Sequence, residues 1–359
     1  MVPVVDDPAA LTAEWLTQAL RSGGHEVTVR GVRYDRIGTG QMGASYRLHL
    51  DLAGSAVNVP KTLVAKIAAG THASRDRVKE GFRKEVRFYT HLAALTDVNT
   101  PACWYAAISD DLLSFTLLLE DLAPAVPGHQ ASGCRPDQAA AAVANLAALH
   151  APLWCHPVLH EHAEWLTPMD EATGAFLGDL MVSACEQFVE RYATALDPAD
   201  VDTLRRAAGL MGRWTTTRAG SDDPFALMHG DYRLDNLMFQ PAGPGVAAVD
   251  WQTATTGPPV RDLSYFLETS LAIEQRRADE RALVAGYAAA LAERGVDYPV
   301  EQCFEDYRLG MLQGPLITVL GCIYATADPS PAADEMFLVM ATRSCAAIRD
   351  LGSLDLLGG

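Results

Sequence analysis

The chain is short of several things that particular function classes require. It carries 28 Lys and Arg against 45 Asp and Glu, a net charge of −17. Proteins that bind nucleic acid need clustered cations against phosphate, so nucleic acid is not an expected partner. Its seven cysteines are odd in number and scattered, with no C-x-x-C. A disulfide framework is therefore not expected, and a reducing, cytoplasmic compartment is. The first residues lack a basic region followed by an apolar stretch, so no signal peptide is expected. No run approaches the roughly 18 apolar residues of a spanning helix, so no membrane partner is expected. No internal repeat is visible. What remains is a chain of 359 residues, 49% hydrophobic, enough for a large core and for two lobes. Its acids are spread along the chain, which fits solubility better than capture of a cationic substrate.

The richest segment is His229-Gly230-Asp231-Tyr232-Arg233-Leu234-Asp235-Asn236, with Asp250 fourteen positions after Asn236. Apolar runs flank it: Ala226-Leu227-Met228 before, Leu237-Met238-Phe239 after, then a turn at Pro241 to Gly245 and Val246 to Val249 leading into Asp250. This reads as strand, loop, strand, turn, strand. The loop offers one carboxylate to work on a hydroxyl, and an amide oxygen and a second carboxylate to hold a divalent ion. Phosphoryl transfer needs such parts, because it is mostly positioning and charge neutralisation.

Upstream, Leu11, Trp15, Leu16 and Ala19 recur at helical spacing until Gly23-Gly24. Gly38, Gly40 and Gly43 form a G-x-G-x-x-G. A dinucleotide fold would need a helix after it. Instead Tyr46, Leu48, Leu50 and Leu52 alternate with polar residues, a strand signal. Strand, glycine turn, strand is the geometry in which a hairpin tip covers phosphates, although an ordinary Gly-rich hairpin has the same pattern. Lys66 lies inside the apolar strand Thr62–Ile67, and a buried ammonium requires a carboxylate. On the helix expected over 74–95, Glu85 shares the inner face of Phe82, Val86 and Tyr89, whereas Glu80 points nearly opposite. Four histidines and Cys155 lie between positions 150 and 162, and His156 and His160 have zinc-compatible spacing. Pro157 interrupts that turn and no paired cysteine motif accompanies it, so packing and surface roles are expected there.

The wording LMHGDYRLDNLMF, then VDWQ and GPPVRDLSYFL, resembles the aminoglycoside phosphotransferase and choline kinase group, with the ecdysteroid kinase-like branch most similar. The resemblance runs from about Gly38 to Leu267. It implies an α+β, two-lobed protein kinase-like fold with a small antiparallel-sheet N-lobe and a mainly helical C-lobe. The implied lobes are 1–119 and 129–359, joined by a hinge at 120–128. By the same resemblance, Asp231 is the catalytic base or positioner and His229 braces its loop. Arg233 sits near the transferred phosphate, Asn236 and Asp250 hold Mg2+, and Asp262 supports the loop from behind. Lys66, held by Glu85, meets the phosphates of ATP, and the backbone around Glu120 and Leu122 meets the adenine. Gly230 and Trp251-Gln252 depart from the H-R-D and D-F-G of protein kinases, and no activation-loop signature is found. The expected activity is ATP- and Mg-dependent phosphorylation of a small-molecule hydroxyl, with a moderately apolar alcohol preferred. A cationic acceptor of aminoglycoside or choline type, a non-catalytic nucleotide-binding regulator and a metal-dependent hydrolase are the alternatives. Oligomeric state is not legible.

Overall fold

The computed structural model describes residues 2–38, 43–53, 59–166, 170–218, 220, 223–325 and 330–358. The chain forms two compact units. The first comprises Met1–Ala94, Thr100–Pro124 and Asp250–Thr253; the second comprises Leu95–Asn99, Ala125–Val249 and Ala254–Gly359. Two short stretches therefore belong elsewhere than contiguous lobes would put them. Asn99 belongs with the second unit because its backbone N–H donates to Asn145 Oδ1 at 2.7 Å and its amide donates to the Val246 carbonyl at 2.6 Å. Trp251 belongs with the first because its ring lies flat on Phe88, centroids 3.6 Å apart.

The first unit opens with helix α1, Ala13–Ser22. Thr12 caps it by accepting the Trp15 N–H, and Gly24, at φ 89°, takes the chain out of it. The strands are β1 (Val29–Ile37), β2 (Gly43–Leu52), β3 (Thr62–Ala68), β4 (Cys103–Ile108) and β5 (Phe115–Glu120), in sheet order β1-β2-β3-β5-β4 with every pairing antiparallel. Alternation puts Leu48, Leu63, Ala65 and Leu118 into one core with Trp15, Leu16 and Leu20. Helix α2, His72–Arg87, lies between β3 and β4 in the chain and buries Phe82, Glu85 and Val86. It is shorter than the expected 74–95 helix, because the chain widens into one loose turn at Phe88–Leu92 and tightens again at Ala93–Leu95. Phe88 meets Trp251 at that loose turn.

The second unit is mainly helical. After β6 (Val126–Pro127) come α3 (Pro136–His150), the single turns α4 (Val158–Glu161) and α5 (Ala163–Leu166), α6 (Glu171–Arg191) and α7 (Pro198–Thr216). Short strands follow: β7 (Ala226–Met228), β8 (Leu237–Phe239), β9 (Val246–Ala248) and β10 (Thr255–Gly257). They form a three-stranded sheet, β6-β8-β9, and a β7-β10 pair. Helices α8 (Val260–Ser270), α9 (Ile273–Ala292), α10 (Val300–Leu309), α11 (Gln313–Leu320) and α12 (Pro331–Leu351) follow, and the single turn α13 (Ser353–Leu356) ends it. Among the described residues one stretch, Val300–Ala325, is long and apolar enough to cross a membrane, contrary to the sequence expectation; its mean hydropathy is 1.2 and 56% of its window is buried within the protein. It comprises α10, a 3-10 turn, α11 and a wider turn, and its apolar character matches its place in the core.

Every residue of α8 is buried, polar ones included. Each charged or hydroxyl group there needs a partner. Arg261 Nη2 donates to the carbonyls of Trp214, Thr215 and Thr217, and Ser264 donates to those of Val260 and Tyr307. Burial alone pulls the Arg261 guanidinium down to about 9. Glu268 accepts the Gly314 N–H at 2.8 Å. Gly314 has no room for a side chain, since a Cβ would fall 2.5 Å from Glu268 Cδ. Gly314→Ala is therefore expected to lower unfolding free energy by about 1–3 kcal/mol through overpacking. A urea titration with an unchanged midpoint would contradict this packing.

Candidate functional site

In the first unit the candidate residues gather around Lys66. Its Nζ donates to Glu85 at 2.8 Å and to Asp250 Oδ1 at 3.3 Å. Glu80 pairs instead with Arg83 at 2.7 Å. Burial disfavours charge on Lys66, but the carboxylates of Asp250 and Glu85 together outweigh it and hold its pKa above the ordinary lysine range. Glu85 is 1% exposed and receives a second donor, Gln252 Nε2, at 3.2 Å. Gln252 and Trp251 thus have specific work in place of Phe-Gly. Trp251 stacks on Phe88 and donates through Nε1 to Thr100 at 3.1 Å.

Asp250 has φ 67°, in the left-handed region that a non-glycine residue enters at a cost. Its side chain is 42% exposed, so a partly open carboxylate stands beside a buried ammonium. Gly43 lies under the Lys66 stem: a Cβ there would approach Lys66 Cε to 3.0 Å. Gly38 serves a different need, φ 69° in open space. Gly40 lies outside the described residues. Glu120 ends β5, exchanging hydrogen bonds with Ala102 through its backbone N–H at 2.8 Å and its carboxylate at 3.1 Å; Leu122 follows.

In the second unit the loop from His229 to Asn236 is held from several sides. Asp262 Oδ2 accepts the His229 N–H at 2.6 Å and its Oδ1 accepts the Gly230 N–H at 3.0 Å. Gly230 has φ 81°, which is the backbone reason for glycine where protein kinases carry Arg. The His229 ring bridges its Nδ1 to the Asp231 N–H at 3.3 Å and its Nε2 to the Val249 carbonyl at 3.0 Å. Behind Asp262 lies buried His150, 3.4 Å from Oδ2 and 2.6 Å from the Tyr287 hydroxyl. Gln130, also buried, accepts the Leu234 N–H and donates to the Thr269 carbonyl, each at 2.9 Å.

The Asp231 carboxylate has three donors. Asn236 Nδ2 reaches Oδ2 at 3.0 Å, Arg233 Nε lies 3.2 and 3.3 Å from the two oxygens, and the Tyr265 hydroxyl donates to Oδ1 at 2.7 Å. With its amide nitrogen committed, Asn236 has its Oδ1 left to take a cation. Arg233 is also paired to Asp235 at 2.6 Å, so its guanidinium is engaged by its own loop. Burial works against that charge, but Asp231 and Asp235 more than offset it and raise its pKa above the ordinary arginine range.

Sequence reasoning missed Tyr265, Gln252, Gln130 and His150. Tyr265 and Gln252 lie within the wording that carries the resemblance, yet nothing in one sequence marks which of its residues touch. Gln130 and His150 come from distant segments. Among the described residues no group of three or more His, Cys, Asp or Glu is placed to hold a metal, the histidines of 150–162 included.

A segment of 94 residues is 48% identical to Acyl-CoA dehydrogenase family member 11 of Gallus gallus, covering 24% of this chain and 12% of that protein. The chain thus matches only about an eighth of that relative's length. Solved structures resemble it in fold. Plasmodium vivax ethanolamine kinase aligns over 96% of this chain and 90% of its own, TM-score 0.55, 10% identical. Choline kinase from Cryptosporidium parvum Iowa II aligns over 91% of each chain, TM-score 0.55, 9% identical. The Lys66 cluster and the Asp231 loop both fall within residues 48–300, the span matched by the profile of the phosphotransferase enzyme family, and the chain belongs to that family.

Proposed function

We propose that this small-molecule phosphotransferase transfers the terminal phosphoryl group of magnesium-ATP to the hydroxyl of a moderately apolar molecule. The observation that carries the reading is the Asp231 carboxylate, fixed by Asn236, Arg233 and Tyr265 inside the family's matched segment. The residues fit the nucleotide and its ion. Taken unit by unit, Asp250 in the first and the Asn236 amide in the second are each oxygen donors of the kind Mg2+ prefers, and Lys66 in the first offers a retained positive charge for phosphate oxygens. When bound, magnesium-ATP supplies the phosphoryl group: the acceptor oxygen bonds to the γ-phosphorus as the bond to the β–γ bridging oxygen breaks, leaving ADP.

This chain's residues do the rest. Asp231 orients the acceptor hydroxyl and takes its proton, which passes on to water. Glu85 holds Lys66 in place, and Gly38 and Gly43 are assigned to the backbone that covers the phosphates. The backbone around Glu120 and Leu122 is the proposed adenine edge, with Glu120's own N–H already used by Ala102. Arg233, engaged by two carboxylates, is assigned to holding Asp231 rather than to meeting the moving phosphoryl group.

Two things support an apolar acceptor. The wording around Asp231 resembles the ecdysteroid kinase-like branch, and the 48% identical segment belongs to a protein named for acyl-CoA, so a hydroxyl on an acyl chain is a reasonable probe. The net charge of −17 is compatible with the competing reading, a cationic acceptor, although the spread of the acids fits solubility better. ADP release should be measured with hydroxyacyl-CoA thioesters, sterol-like alcohols, choline, ethanolamine and aminoglycosides. The expected outcome is turnover with an apolar alcohol and a kcat/KM nearly indifferent to salt. Efficient turnover of an aminoglycoside with steep salt dependence would overturn the choice, since screening shortens the reach of exposed charges to about 8 Å near physiological salt. Calorimetry should also show ATP binding weakened by chelator, because the ion offsets repulsion between phosphate and carboxylates. Equal affinity in chelator and in magnesium would count against the assigned ligands.

A further inference from the structure

We propose that Tyr265 is a positioning residue for the Asp231 carboxylate and sets the angle at which it meets the acceptor; this rests on the role given to Asp231 above. The terminal torsion of an aspartate is broad, so a backbone position alone does not orient its carboxylate. Two donors on different oxygens do. Asn236 Nδ2 holds Oδ2 at 3.0 Å and the Tyr265 hydroxyl holds Oδ1 at 2.7 Å. Arg233 bridges both oxygens from its own loop and leans on Asp235, while His229 and Asp262 engage backbone N–H groups and leave the carboxylate alone. Tyr265 is thus the only one of these carboxylate donors from outside the loop.

Its position follows from helical spacing. Asp262 and Tyr265 are three residues apart in α8 and share a face. One grips the loop's backbone at His229 and Gly230, and the other grips its carboxylate. Because α8 is buried throughout, both grips are anchored in a rigid element. Tyr265 itself is fully buried, and burial together with the Asp231 charge keeps its phenol a proton donor. The acceptor's proton therefore goes to Asp231, and Tyr265 keeps its own.

The test is Tyr265→Phe in the full chain, assayed by ADP release from magnesium-ATP with water alone and with the whole panel of hydroxyl compounds named above. Nucleotide affinity is measured by calorimetry on the same preparation, and turnover is counted per nucleotide-binding site, so partial unfolding does not masquerade as lost catalysis. The expected result is a kcat lowered about 10- to 100-fold, as small misplacements of reacting groups cause, with nucleotide Kd unchanged. In an Asp231→Ala background the same change should have no further effect, since the phenol then has no carboxylate to hold. Tyr265→Phe turning over like wild type while Asp231→Ala is impaired would overturn this inference and leave the phosphotransfer reading standing. A further loss in the Asp231→Ala background, or a shifted nucleotide Kd, would overturn it too by showing a general structural role. Asp231→Ala turning over like wild type, or a wild type silent in every arm, would overturn the reading of the site and the inference with it.

Discussion

Asp231→Asn lowers turnover by about 10²–10⁴-fold, the usual contribution of a positioned acid or base, while nucleotide binding stays nearly intact. An amide keeps the shape and still accepts from Tyr265, but it takes no proton from an acceptor. The backbone of the loop is held without that charge. Asp262 holds the backbone at His229 and Gly230, and Gln130 holds it at Leu234. Loss of turnover without loss of binding is therefore expected, by steady-state kinetics beside calorimetry. Asp250→Ala should behave differently and weaken binding of the metal–nucleotide complex as well. If both variants turned over like wild type, the roles given to these carboxylates would be wrong.

Lys66→Met removes the cation from a carboxylate that is 1% exposed, leaving Glu85 with Gln252 as its remaining side-chain donor. Breaking a buried pair from one side costs about 3–5 kcal/mol, because the surviving charge has no compensation. Removing both charges, in Lys66→Met with Glu85→Leu, should recover much of that loss, since a packed apolar pair can replace a buried ion pair. Urea unfolding of the cycle should give a coupling in the range of about 0.5–3 kcal/mol, while nucleotide binding stays impaired in all three variants. Additive losses would show that Glu85 is not the partner that matters. The pH dependence has a definite sign. The folded pKa of Lys66 is raised, so its stabilisation is fully present below the unfolded value of about 10.4 and is lost as pH rises through the folded one.

Much of this arrangement is legible in the sequence because short-range rules govern it. The alternation in β2 excluded a helix after the glycines, and helical phase separated Glu85 from Glu80. Asp262's support of the loop followed from the family wording, and the structure supplies the two N–H groups it accepts. The rest depends on long-range packing. Trp251 and Gln252 looked like a mere departure from Phe-Gly until Phe88 and Glu85 were beside them. The resemblance put Arg233 near the transferred phosphate, and its spacing to Asp231 does not reveal that Asp235 also pairs with it. Tyr265 and His150 are buried, yet each presents a polar atom to the site's carboxylates, a contact that no spacing in the sequence marks. The helix after Ser74 looked continuous because a loose turn preserves apolar content while changing phase.

The most direct test of the central claim is 31P NMR of the protein with magnesium-ATP and the alcohol panel, wild type beside Asp231→Asn. A phosphomonoester resonance is expected to grow with ADP for at least one hydroxyl compound and to be strongly reduced in the variant. ATP that stays intact with every acceptor, or an ester that forms equally fast without the Asp231 carboxylate, would contradict it.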